Sequence, residues 1–254
     1  SRLMRNGSIT LSVILNIGIL AWFKYANFFV DQLNDVGTRI GAGEISWEAI
    51  VLPIGISFFT FQATSYVIDV ARGQARVMRN PIDFALYVSL FPQLIAGPIV
   101  RYHEIADQLR DRPFDWDNVS AGTLRFVHGL VKKVVIADSI GGIADAAFAG
   151  DANLHAGDAW IGLLAYTLQI YFDFSGYSDM AIGLGRMFGF RFPENFKRPY
   201  SAVSMTDFWR RWHVTLSNWF RDYVYIPLGG SRCRTPRIYL NLVIVFLLTG
   251  FWHG

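Results

Sequence analysis

The stretch 49-AIVLPIGISFFTFQATSYVI-68 runs for twenty residues without a charged side chain. The hydrocarbon core of a bilayer is about 30 Å thick and an α-helix rises about 1.5 Å per residue, so roughly 20 apolar residues cross it. Two further runs lie near it, Asn6–Phe23 with eighteen uncharged residues and Phe84–Val100 with seventeen. Apolar residues gathered into runs of this length mark a polytopic membrane protein. The composition agrees: of 254 residues 52% are hydrophobic and only 17% charged, against about 25% charged in a soluble domain, and the mean hydropathy is +0.29. Disorder, collagen-like repeats and a disulfide scaffold are excluded.

Working outward, residues 8–30 read as a first span with Lys24 near its end, and residues 49–69 as a second that begins at a Pro53/Gly55 break. The loop after it, ARGQARVMRN, carries Arg72, Arg76 and Arg79 and no acid, which places it on the cytoplasmic side. Residues 82–100 form a third segment interrupted by Pro92 and Gly97-Pro98, followed by a loop with Arg101, Arg110 and Arg112. A full crossing would put two consecutive basic loops on opposite sides, so a bent or re-entrant segment is expected. Residues 119–149 read as a long helix with Lys132 and Lys133 in its middle, and 158–188 as another carrying Asp173 and Asp179. Such charges must face a polar interior or an interface. Residues 205–226 look amphipathic, with Thr206 or Asp207 as a cap, and 238–254 are apolar. No segment alternates with period two, so the fold class is an all-α bundle, expected as one membrane-embedded domain over 1–254. The chain enters a span within a few residues of Ser1 and stops at Gly254 inside an apolar segment, which reads as the middle of a longer protein.

The net charge is +3 and the pI about 9.0. In a membrane protein that excess means basic loops against lipid headgroups or an anionic substrate, not nucleic acid. The lone Cys233 rules out a disulfide within the chain and a CxxC metal site. Of five histidines, His103 and His155 read as solvated loop residues and His128 as a core residue. His253 ends the apolar run TGFWHG, where an imidazole either finds a structural hydrogen-bond partner or acts as a base. His213 lies in TDFWRRWHVTLSNWFRDYVYIPLGGSR, among aromatic residues suited to the headgroup region and six arginines from Arg210 to Arg237. That segment is either an interfacial helix held by anionic lipid or a basic surface for a phosphate-bearing donor.

LNIGILAWFKYANFFV, LPIGISFFTFQATSYVIDV, FPQLIAGPIVRY, YFDFSGYSDMAIGLGRMFGF, FWRRWHVTLSNWFRDYVYIPLGG and FWHG follow one another along nearly the whole chain. In these the chain resembles the membrane-bound O-acyltransferase family, and within it the bacterial branch typified by the alginate O-acetylation protein. The resemblance implies acyl transfer inside a membrane-embedded tunnel, with His253 and His213 as the catalytic pair and no metal. His253 would take a proton from the acceptor hydroxyl, and His213 would orient the acyl group or stabilise the oxyanion. It further implies acetyl-CoA as donor, bound as a substrate with no resident cofactor, its anionic end held by Arg210, Arg211, Arg221 and Arg232. Asp173, Ser175, Tyr177 and Asp179 would line the tunnel or simply pack between helices. Location in the bacterial inner membrane, contact with lipid, periplasmic acetyltransferase partners and an exopolysaccharide acceptor, alginate first, complete the expectation. D-alanyl or acetyl transfer to teichoic acid or peptidoglycan, and a non-catalytic transporter, are the alternatives.

Overall fold

The computed structural model describes residues 2–112, 115–149 and 155–253. Its helices are α1 Arg2–Ile40, α2 Ile56–Ala71, α3 Pro81–Ser89, α4 Tyr102–Ile105, α5 Trp116–Leu130, α6 Asp138–Phe148, α7 Ala156–Met187, α8 Met205–Trp209, α9 Val214–Phe220 and α10 Thr235–His253. No strand occurs among the described residues. Among the described residues two helices are long and apolar enough to cross a membrane, α1 over Gly7–Ile40 and α10; Gly254, the end of the expected last span, lies outside the described residues. The chain forms two compact units, Ser1–Ser89 with Phe220–Gly254, and Leu90–Trp219.

In the first unit the expected second span is shortened. Pro53 and the left-handed Gly55 (φ +76°) delay the start of α2 to Ile56, leaving sixteen helical residues. The extended chain before it is held by two asparagines of α1. Asn27 Oδ1 accepts from Ile50 N and Trp47 Nε1, both at 2.9 Å, and Asn27 Nδ2 donates to Ile50 O at 2.9 Å. One heptad on, Asn34 makes the same two-way bond with the backbone of Ile45. Apolar surroundings demand such pairing wherever backbone leaves a helix. Asn241 of α10, fully buried, holds the IPLGG turn from its donor side alone, Nδ2 donating to Leu228 O and Gly230 O at 3.3 and 3.2 Å. At the C-terminal end of α2, buried Asp69 accepts from Tyr223 Oη at 2.6 Å and Arg72 lies over the Tyr223 ring. These bonds anchor a π-helical turn, Arg221–Tyr225.

In the second unit α5, a π-helical stretch Val131–Ala137 and α6 form one continuous rod against α7. The expected long helix therefore contains a widened turn at Lys132 and Lys133. The rod and α7 meet along a glycine seam, with Gly122 against Gly183 and Gly129 against Gly176, so the two run antiparallel. A Cβ on Gly129 would lie 2.5 Å from Gly176 O, and one on Gly183 2.6 Å from Gly122 O. Small residues let membrane helices approach to backbone contact. Lys132 and Arg125 meet the Asp179 carboxylate of α7 at 2.5 Å each, and Lys133 meets Asp173 and Asp138 at 2.6 and 2.7 Å. The segment after α3 is broken at Pro92 and Gly97-Pro98 as expected, with only a single 3₁₀ turn at Phe91–Gln93.

Gly129→Ala and Gly183→Ala should each destabilise by about 1–3 kcal/mol, the usual penalty of overpacking. Gly142→Ala in α6, where an added Cβ meets nothing within 4 Å, should leave stability unchanged or slightly raised. Thermal unfolding of the detergent-solubilised protein measures all three.

Candidate active site

The amphipathic segment expected over 205–226 is not one helix. Ser204, not Thr206 or Asp207, caps α8, its hydroxyl accepting from Asp207 N at 3.1 Å. The chain then breaks at His213, whose backbone takes a left-handed φ of +41° before α9 begins. A non-glycine residue is held in that region only where its surroundings compensate, at about 1–3 kcal/mol.

The compensation comes from Asn195, fully buried in the loop after α7. Its backbone oxygen accepts from Val214 N at 2.9 Å, and its Oδ1 accepts from Thr215 N at 3.3 Å and Thr215 Oγ1 at 2.8 Å. The same Oδ1 lies 3.0 Å from His213 Nδ1. Asn195 Nδ2 donates to Ser178 Oγ on α7 at 3.0 Å, and Thr215 Oγ1 accepts from Ile99 N at 3.0 Å. His213, Val214 and Thr215 are thus all bonded to one residue, which supplies the acceptors that the first turn of α9 lacks. The His213 ring is only 4% exposed and packs edge-on against Phe174 at 4.7 Å.

His253 belongs to the other unit. Its ring is exposed at the end of α10, with Nδ1 donating to Thr249 O one turn earlier at 2.9 Å. The helix end itself is gripped by α1, where Lys24 Nζ donates to Trp252 O and Tyr25 Oη to Phe251 O. Trp252 stacks on Phe61 of α2 at 5.0 Å and 15°.

The four arginines separate into two kinds. Arg211 is committed to Asp207 at 2.8 Å and holds that carboxyl below the usual range, while Arg221 forks onto Asp222 at 2.7 and 3.1 Å. Arg210 and Arg232 are exposed and, among the described residues, make no ion pair. Arg210 and Arg211 belong to one unit, Arg221 and Arg232 to the other. On α7, Asp173 and Asp179 are both ion-paired, Ser175 is buried with its hydroxyl unpartnered among the described residues, and Tyr177 is half-buried. His128 is exposed on α5, contrary to the expectation of a core residue: α5 turns its glycines, not His128, toward α7. Sequence reasoning missed Asn195, Thr215 and Ser178; nothing in ENFKRPY distinguishes Asn195 from any loop asparagine.

A model of the membrane-bound O-acyltransferase family matches residues 8–254. The chain belongs to this family. Among O-acyltransferase relatives, the probable alginate O-acetylase AlgI of Azotobacter vinelandii is 53% identical over 97% of this chain and 49% of its own length. The corresponding Pseudomonas aeruginosa protein is 53% identical over 97% of the chain and 47% of its own. A Helicobacter pylori peptidoglycan O-acetyltransferase is 41% identical over 97% and 51%. A Bacillus subtilis teichoic acid D-alanyltransferase is 28% identical over 79% and 53%. The chain spans about half the length of these O-acyltransferase relatives.

The two α7 carboxylates should respond differently to neutralisation. Asp179 is 11% exposed and shared by two cations, whereas Asp173 and Lys133 are 47% and 41% exposed. Asp179→Asn should destabilise by about 1–3 kcal/mol, and Asp173→Asn, with Lys133 retaining Asp138, by no more than about 1 kcal/mol. Chemical or thermal unfolding in detergent distinguishes them.

Proposed function

We propose that this chain is part of a membrane O-acetyltransferase that moves acetyl groups from a cytoplasmic thioester, acetyl-CoA, toward O-acetylation of an exopolysaccharide, alginate foremost. The observation that carries the reading is His253: its Nδ1 donates to a backbone carbonyl, so in the neutral ring the lone pair is on Nε2, the form a general base requires. In the proposed reaction the acceptor hydroxyl attacks the thioester carbonyl carbon while His253 Nε2 takes its proton. The C–S bond then breaks, the sulfur leaves as thiolate and is protonated, and an acetyl ester remains. His213 is the second residue of the reaction. The 53% identity to alginate O-acetylases, against 28% to a D-alanyltransferase, supports acetyl over D-alanyl transfer. Arg210 in one unit and Arg232 in the other are exposed and, among the described residues, make no ion pair, which leaves either guanidinium able to take a phosphate of the donor. Periplasmic transferases as next carriers, and the inner membrane as location, follow from the same reading.

His253→Ala should lower acetylation by about 10²–10⁴-fold, the range for a lost general base, at unchanged protein abundance. Normal acetylation with stable protein would sink the assignment. His213→Ala should give a smaller or equal loss. Acetyl-CoA labelled in its acetyl group should label polysaccharide in membranes holding the full-length protein. Failure there, with transfer from an acylated carrier protein, would replace this donor by a D-alanylation-like one.

A further inference from the structure

The hydrogen bonds around Asn195 determine which nitrogen of His213 carries a proton. Thr215 N is an obligate donor and points at Asn195 Oδ1, so that atom is the oxygen of the amide; the Nδ2 group at the other side is satisfied by Ser178 Oγ. Turning the amide over would set its NH₂ against the Thr215 N–H. With Oδ1 an acceptor, the contact to His213 at 3.0 Å is a bond donated by Nδ1–H. A neutral imidazole has one N–H and one lone pair, so the lone pair of His213 is on Nε2. In that form the ring accepts a proton or a hydroxyl hydrogen bond at Nε2 and does not donate from it. An oxyanion needs a donor.

We infer that Asn195 is a positioning residue that holds His213 in the Nδ1–H tautomer, so that His213 serves the hydroxyl side of the transfer through Nε2 and not the oxyanion. The inference rests on the reading of His213 as a residue of the reaction. Three further features make the clasp specific. His213 takes a left-handed φ at the break where its Nδ1 meets Asn195 Oδ1. The backbone oxygen of Asn195 holds Val214, and Thr215 Oγ1 is itself oriented by Ile99 N. The amide is therefore fixed from both ends, as the orienting group of a catalytic histidine must be.

The test uses full-length protein labelled with ¹⁵N-histidine in lipid bilayers, the His213 signals being assigned by their absence in His213→Ala. The expected spectrum shows Nδ1 protonated and Nε2 unprotonated. Asn195→Leu removes the acceptor and should shift the ring toward the Nε2–H form, lowering kcat at least tenfold with little change in donor KM. Asn195→Asp keeps an acceptor for His213 and Thr215, and should restore the tautomer and most of kcat. An Nε2–H ring in the unaltered protein overturns the inference without any variant having to fold. So do equal losses in Asn195→Leu and Asn195→Asp with an unchanged tautomer. Full activity of His213→Ala instead removes His213 from the reaction while the tautomer signal stands, so the two failures are told apart.

Discussion

A backbone amide that leaves a helix in surroundings this apolar has no water to bond, and each buried group left unmet costs on the order of 1–3 kcal/mol. Asparagine side chains bond such backbone four times here, Asn27 and Asn34 through both acceptor and donor, Asn241 through its donor and Asn195 through its acceptor. Asn27 and Asn34 close the chain between α1 and α2, Asn241 closes the IPLGG turn, and Asn195 closes the start of α9. The breaks in the helical run stand where such side chains receive them, and the candidate histidine of the second unit lies in one of these breaks.

The same economy governs the charges. Arg125, Lys132 and Lys133 are long enough to reach across to α7 because the glycine seam brings the two helical backbones together. The π-helical turn at Val131–Ala137 rotates two neighbouring lysines onto different carboxylates, Lys132 onto Asp179 and Lys133 onto Asp173 and Asp138. Close packing and ion pairing are thus one arrangement. Glycine removes the side chains that would separate the helices, and separation would leave the cations unpaired.

Around the histidines, two different solutions give one chemical state. His213 is buried and its Nδ1 is held by a side chain that is itself held on both sides, whereas His253 is exposed and its Nδ1 is held by a carbonyl of its own helix. Both rings, when neutral, present Nε2 as the basic nitrogen. The grip of Lys24 and Tyr25 on the last turn of α10 steadies the helix on which His253 stands.

The uncharged runs, the Pro92 and Gly97-Pro98 breaks and the α7 helix with its two carboxylates were legible from residue order alone, because hydropathy and proline geometry are local properties. Periodicity over 205–226 suggested one helix, since a left-handed φ at a histidine leaves no trace in composition. Likewise nothing in the residues before α2 shows that their extended chain is held by Asn27, more than twenty positions away. Tertiary structure alone decided that Asn195 is the partner of His213, which cations answer which carboxylates, and which arginines remain open. These are pairings between distant residues, and a hydrogen bond is decided by where two atoms meet in space, which the order of residues along the chain does not state.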